Sequence, residues 1–222
     1  MSIKNNVLEV KNTINDTCEK IGRDASNIHI VGVTKYVDEN VAQDLVNHGI
    51  VNLGENRPDN FLEKRHTIDG NVLWHFIGTL QSRKVKSVIH DIDFLHSLDR
   101  LSLAMEIEKH APKLVNCFVQ VNVSNEESKH GLSLEEVIPF IRELSKFSKI
   151  KVVGLMTMAP YTDDEELLRQ CFKSLKNLQL AVLDLNLEYA PCTELSMGMS
   201  NDYKIAIEEG ATYVRLGSVL TN

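Results

Sequence analysis

The stretch Ile28-His29-Ile30-Val31-Gly32-Val33-Thr34-Lys35-Tyr36 decides how the rest of the chain is read. Its first six residues are dominated by β-branched side chains, which suit a pleated surface, and the run is too short for a buried helix. It ends in a polar triplet, and Asp38 then stands three places before Val41 as a helix N-cap type. Strand therefore passes to helix within a few residues. The pattern recurs, with apolar or β-branched runs at 51–53, 73–77, 92–95, 115–123, 150–155, around 193–195 and at 212–216. Eight strands are expected. Helical patterns separate them, opened by Asp38, by Asp99 before Leu101, by Ser133 with Glu136 three residues on, and by Asp163 with Glu166 three residues on. Such alternation means parallel strands joined by crossover helices, in an α/β fold. Eight units close into a (β/α)8 TIM barrel, with a doubly wound open sheet as the alternative. Ile3, Val7, Val10, Ile14, Cys18 and Ile21 form one stripe of an extra N-terminal helix. Only six residues, 217–222, follow Leu216, so that opening helix is expected to cover the gap at the end of the barrel.

A length of 222 residues suits one barrel, and residues 1–222 are read as a single domain, since no linker, repeat or low-complexity run marks a boundary. The 43% hydrophobic and 25% charged composition is that of ordinary globular proteins, and a chain of this size buries roughly 70% of its unfolded surface. Cys18, Cys117, Cys171 and Cys192 include no C-x-x-C pair and no histidine at zinc-ligand spacing, so reduced thiols and no metal are expected. Residues 1–20 lack a secretory pattern, and no run approaches the ~20 apolar residues of a membrane span. A cytoplasmic protein without a membrane partner is the expectation. The net charge of −7 argues against a nucleic-acid partner, which would need a basic face. The basic cluster Arg83, Lys84 and Lys86 is read as a solvated helix face.

In a parallel barrel the chemistry sits just past the C-terminal ends of the strands. There, Lys35 leaves the first strand. A lysine in that position is either a partly desolvated amine, suited to attack a carbonyl, or a side chain that snorkels to the rim. After the second strand come Gly54-Glu55-Asn56, where Glu55 and Asn56 line the mouth or cap the next helix. The third reads Trp74-His75-Phe76-Ile77-Gly78, in which His75 is read chiefly as a satisfied core histidine. Near the C-terminus, Ser196-Met197-Gly198-Met199-Ser200-Asn201-Asp202 follows the seventh strand and opens a helix, so Ser200 and backbone N–H groups could face an anion. Val214-Arg215-Leu216-Gly217-Ser218 ends the eighth, where glycine admits a close phosphate and Ser218 can donate to it. Loops seven and eight are the recurrent phosphate site of this fold, while Gly198 and Gly217 as plain turn residues are the alternative.

Taken together, Val33-Thr34-Lys35, Gly54-Glu55-Asn56, Trp74-His75-Phe76-Ile77-Gly78 with Leu80-Gln81-Ser82, Ser128-Lys129-His130-Gly131, Gly154-Leu155-Met156, Leu195-Ser196-Met197-Gly198-Met199-Ser200 and Val214-Arg215-Leu216-Gly217-Ser218 resemble the pyridoxal phosphate homeostasis protein family. The resemblance runs in order along nearly the whole chain. It implies a fold-type III barrel related to the barrel domain of alanine racemase, with pyridoxal 5′-phosphate (PLP) held as a Schiff base on Lys35. It further implies that Ser200, Gly217 and Ser218 receive the phosphate and that Arg215 lies against the pyridine nitrogen. Asn56, ahead of His75, is implied as a ring or phosphate neighbour, and Lys129 as a transient second contact. The chain departs from the family at Thr79, where proline is common, and at Arg83, where asparagine is frequent; both read as surface variation. It also ends Val219-Leu220-Thr221-Asn222 where the family continues to Phe-Gly-x-Arg.

The implied function is a PLP carrier and regulator that hands cofactor transiently to apo-enzymes. An always-charged Arg215 disfavours a proton on the ring nitrogen and weakens the electron sink. The racemase relative draws its second base, a tyrosine, from a further domain for which these 222 residues leave no room. A weak PLP-dependent racemase is the alternative, and a cofactor-free Schiff-base aldolase or phosphosugar enzyme is the alternative of another class. A monomer is expected.

Overall fold

The computed structural model describes residues 2–124 and 130–222. Helix α1 (Ile3–Lys20) precedes β1 (His29–Val33), α2 (Glu39–Asn47), β2 (Asn52–Glu55), α3 (Pro58–Thr67) and β3 (Leu73–Phe76). A 3₁₀ turn and the one-turn helix α4 (Val85–Val88) lead to β4 (Phe94–Leu98), α5 (Leu101–His110), β5 (Val115–Gln120) and α6 (Leu134–Glu143). The chain finishes with β6 (Ile150–Met156), α7 (Glu165–Leu183), β7 (Glu194–Met199), α8 (Tyr203–Glu208), β8 (Tyr213–Leu216) and α9 (Ser218–Thr221). All eight strands run parallel and close in sequence order, β8 pairing back onto β1 with Val31 opposite Arg215. The open-sheet alternative is thereby excluded.

Side chains alternate across the strands, as a period of two demands. On β8, Val214 and Leu216 face the helices and belong to the large core between sheet and helices, whereas Tyr213 joins Val31, Phe118 and Met156 in a small separate cluster inside the barrel, with Phe94 and Val153 packed on it. His75, His96, Ser196 and Arg215 are buried polar residues, and they continue the inward positions of β3, β4, β7 and β8. The barrel interior is thus part apolar and part polar.

Helix α1 closes the ring as expected. Val7, Val10, Ile14 and Cys18 are buried while Ile21, just past its end, is exposed. The helix lies on α8 and α9, and Asn6 Nδ2 donates to the Leu220 and Asn222 carbonyls at 3.1 and 3.0 Å. Arg23 Nη2 donates to the Ala211 carbonyl at 2.9 Å, which ties the segment after α1 to the entry of β8. The C-terminal residues do form a short helix, α9, where none was expected. Arg83, Lys84 and Lys86 are exposed, as a solvated face requires. No helix among the described residues is long and apolar enough to cross a membrane.

Candidate functional site

A cleft of about 910 Å³ opens at the C-terminal mouth of the barrel and is lined by Lys35, Asn56, Ser200, Arg215, Gly217 and Ser218 together with residues of the neighbouring loops. All six residues expected at the site therefore meet in one place. Their roles follow from what holds each of them.

Lys35 lies two residues past β1, half-buried, with Nζ 4.8 Å from the centroid of the Tyr36 ring. The residue before it is fixed from behind. Thr34 is buried; its Oγ1 donates to Glu55 Oε1 at 2.7 Å, and Lys64 Nζ donates both to the Thr34 carbonyl at 2.6 Å and to Glu55 Oε1 at 2.7 Å. Glu55 is thus no cap. It points outward from β2 into the interface with α3, whose N-cap is Arg57 without a side-chain bond. Asn56, one residue on, does line the cleft. A Cβ on Gly78 would come within 2.4 Å of the Asn56 carbonyl, so glycine there lets the β2 and β3 loops pack closely.

At the other side, β7 runs to Met199, longer than the sequence suggested, and Ser196 is an inward strand residue rather than part of a loop. Gly198 sits at φ +94°, a backbone conformation that favours glycine, and turns the chain towards α8. The N-cap of α8 is Asp202, whose Oδ1 accepts from the Met199 N–H; burial raises its carboxyl pKa. Ser200 accordingly does not cap α8 but reaches across to the β8 loop, where its Oγ accepts from the N–H groups of Gly217 and Val219 at 3.3 and 3.4 Å. A hydroxyl and backbone donors converge at the entry of α9, next to the exposed Ser218.

Arg215 rises from inside β8, 5% exposed. Its Nη1 donates to Ser196 Oγ at 2.6 Å and its Nη2 to the Thr157 carbonyl at 2.9 Å. Burial pushes its pKa down to about 10 against the opposing pull of the Asp202 carboxylate, so it keeps its charge at neutral pH. Beneath it, His75 is fully buried and does not line the cleft; burial, then the nearby His29, lowers its pKa to about 3. The core reading of His75 holds. Thr79, by contrast, is on the rim of the cleft, so its departure from the family pattern touches the site and is not mere surface variation. Ser128 and Lys129 lie outside the described residues.

Sequence reading missed Gln120, which lines the cleft, because the fifth strand was expected to run on to 123; it ends at Gln120, the position from which barrel side chains reach the mouth. His96 and Lys64 were also missed. A fully buried histidine or lysine is recognised by its partner across the fold, and neither has a sequence-local one. Among the described residues no group of three or more metal-ligating side chains occurs.

A family model, the N-terminal domain of alanine racemase, matches residues 10–222, which sets the class of this barrel. Within that class the chain belongs to the pyridoxal phosphate homeostasis protein family: the member from Aquifex aeolicus is 39% identical over 212 residues, covering 93% of this chain and 92% of that protein. The crystal structure of an unknown protein from Bifidobacterium adolescentis is similar with a TM-score of 0.93 and 30% identity, over 98% of this chain and 94% of that one. PipY of Synechococcus elongatus, solved with PLP bound, has the same fold, with a TM-score of 0.86 and 24% identity over the whole of both chains.

Proposed function

We propose that this chain, as one barrel domain over residues 1–222, binds PLP in the cleft through Lys35 and carries and buffers it rather than using it for rapid turnover. The observation that carries the reading is the convergence on one cleft of a primary amine, a hydroxyl-and-amide cradle and a buried arginine. The Aquifex relative bears the name pyridoxal phosphate homeostasis protein, and PipY has been solved with PLP bound; both support PLP as the ligand here.

The residues fit the group. The N–H groups that converge on Ser200 Oγ are the donors a phosphate needs, and Ser218 stands beside them. Gly217 meets nothing closer than 3.6 Å with an added Cβ, so protein packing does not demand glycine; what it provides is a backbone N–H beside the Ser200 hydroxyl, to which it donates. Arg215 is a donor only, suited to an unprotonated ring nitrogen. When bound, PLP supplies an aldehyde that a primary amine can capture covalently. Lys35 would hold that carbon, Ser200, Gly217 and Ser218 the phosphate, and Asn56 the side of the ring or phosphate.

Quiet chemistry follows from the same residues. A charged Arg215 keeps a proton from the atom it faces, which weakens electron withdrawal. Among the described residues lining the cleft, the titratable side chains besides Lys35 and Arg215 are Tyr36 and Tyr161, and these are 87% and 91% exposed. Neither is packed into the fixed position a general base requires. Transient delivery to apo-enzymes is the corresponding cellular role.

The test is to incubate the protein with PLP, reduce with borohydride and map the cofactor mass by peptide mass spectrometry. The label is expected on the peptide containing Lys35 and lost in Lys35→Ala with the fold retained. Label on a different lysine of the unaltered protein refutes the assignment. Racemisation of common amino acids at about 1 s⁻¹ or faster would replace the carrier reading with the enzyme.

A further inference from the structure

Below the cleft an unbroken line of hydrogen-bonded side chains, buried from Arg215 to His75 and ending at the half-buried Asn52, crosses the barrel. Arg215 Nη1 donates to Ser196 Oγ at 2.6 Å, Ser196 Oγ lies 2.9 Å from His96 Nδ1, His96 Nε2 lies 2.9 Å from His75 Nδ1, and His75 Nε2 lies 3.0 Å from Asn52 Oδ1. Ser196, His96 and His75 are all 0% exposed. Five residues from β8, β7, β4, β3 and β2 form a single chain.

Its protons have one consistent order. The guanidinium only donates, so Ser196 Oγ accepts from it and sends its own hydrogen to His96 Nδ1. His96 then carries its proton on Nε2 and donates to His75 Nδ1. His75 likewise carries its proton on Nε2 and donates to the Asn52 carbonyl oxygen. The reversed order leaves the buried Ser196 hydroxyl hydrogen without an acceptor, which costs as much as any orphaned buried polar group. Both imidazoles are neutral in this arrangement, and every acceptor end points towards Arg215.

We infer that Ser196, His96 and His75 are positioning residues that stabilise the buried charge of Arg215 with an oriented chain of neutral dipoles. Its guanidinium bonds a hydroxyl and a carbonyl, while the Asp202 carboxylate acts on it only through space. A directly bonded carboxylate would hold the guanidinium more strongly and would also neutralise its field. A dipole chain fixes the side chain and leaves more of its positive field for the atom it faces in the cleft. Aromatic packing keeps the line in place: the His75 ring stacks on Phe94 at 4.5 Å with planes 2° apart, and His96 lies 4.4 Å from Phe118. The consequence for ligand retention rests on the PLP reading above; the proton order does not.

Two measurements test the inference. Ring ¹⁵N spectra of the cofactor-free protein at neutral pH should show His75 and His96 neutral with the proton on Nε2, and a proton on Nδ1 of either ring overturns the chain. The second compares PLP with its deaza analogue, in which a C–H replaces the ring nitrogen, on the unaltered protein, Ser196→Thr and Ser196→Ala. Ser196→Ala should weaken PLP about tenfold, the scale of one hydrogen bond to a charged group. Ser196→Thr should retain PLP, and the deaza analogue should bind the unaltered protein and Ser196→Ala alike. An equal loss for both ligands means that Ser196 only supports packing and ends the proposal. If the unaltered protein takes up no PLP, the proposed function fails while the ring spectra still decide the chain.

Discussion

Glu55 and Lys64 form a buried ion pair at 2.7 Å, with the two side chains 0% and 4% exposed. Lys64 also holds the Thr34 carbonyl, while Glu55 Oε2 has no hydrogen-bond partner. Such a pair adds little against an apolar replacement of both members, yet loss of one member strands the other in a low dielectric. Glu55→Gln is therefore expected to destabilise the protein by about 3 to 5 kcal/mol, and Glu55→Gln with Lys64→Met to recover most of that loss. Urea unfolding midpoints of the two variants check it, and a double variant no more stable than the single one contradicts it. The residue before Lys35 hangs on this pair, so the single variant should also retain PLP less well. At the opposite side of the cleft, Ser200→Ala and Ser218→Ala should each weaken PLP retention by about 1 to 3 kcal/mol, as expected when a hydrogen bond to a charged group is lost. Equilibrium dialysis against PLP measures it.

Among the elements, the helix starts show where local sequence suffices. Asp38 accepts from the Val41 N–H, and Ser133 with Glu136 makes the full capping box, both as read from sequence. The other two caps shift by one residue: Arg100 rather than Asp99 is the N-cap of α5, with Asp99 paired to its guanidinium at 2.6 Å, and Asp164 rather than Asp163 caps α7. Adjacent polar residues offer equivalent local chemistry, and only the path of the preceding loop chooses between them. Strand ends were less legible than strand existence. On β7 the inward Ser196 interrupts the apolar pattern, and its partners come from β4 and β8, at 100 and 19 residues' distance. The six residues expected at the site do line one cleft, because residues at the C-terminal ends of barrel strands converge on its mouth. The β7–α8 turn gives the sharpest test at this scale. An alanine at Gly198 would strain a φ of +94° and bring Cβ within 2.6 Å of Ala206 Cβ. Gly198→Ala should cost more than about 1 kcal/mol and displace Ser200, lowering melting temperature and PLP affinity together. An unchanged affinity would mean that the turn does not position the cradle.

For the whole molecule, the eight strands and their parallel closure were readable from alternation, while the polar line inside the barrel was not. His75 could be recognised as a core histidine, but its partner His96 is set by the register of β3 on β4, in which His75 stands opposite Phe94. Two neutral imidazoles in the interior make stability depend on pH. Burial lowers both pKa values, His75 to about 3 with His29 adding to the effect, and His96 further helped down by His75 and Arg215. Groups whose folded pKa is depressed bind protons more readily when unfolded, so their contribution is fully present above the unfolded value near 6.5. It is lost as pH falls from there towards the folded value. Asp202 works in the opposite direction, since its raised carboxyl pKa, caused by burial, favours the folded state as acid is added. Between pH 7 and pH 5 His75 contributes a loss of about 2 kcal/mol, and His96 acts in the same direction. Urea unfolding should show a loss of about 2 kcal/mol or more over that interval. His96→Asn, less stable throughout, should show a smaller pH dependence, because one titrating group is gone. A stability that stays flat between pH 7 and pH 5 would mean that the barrel opens to water around these rings, and that the line below Arg215 is not the dry, neutral chain its hydrogen bonds describe.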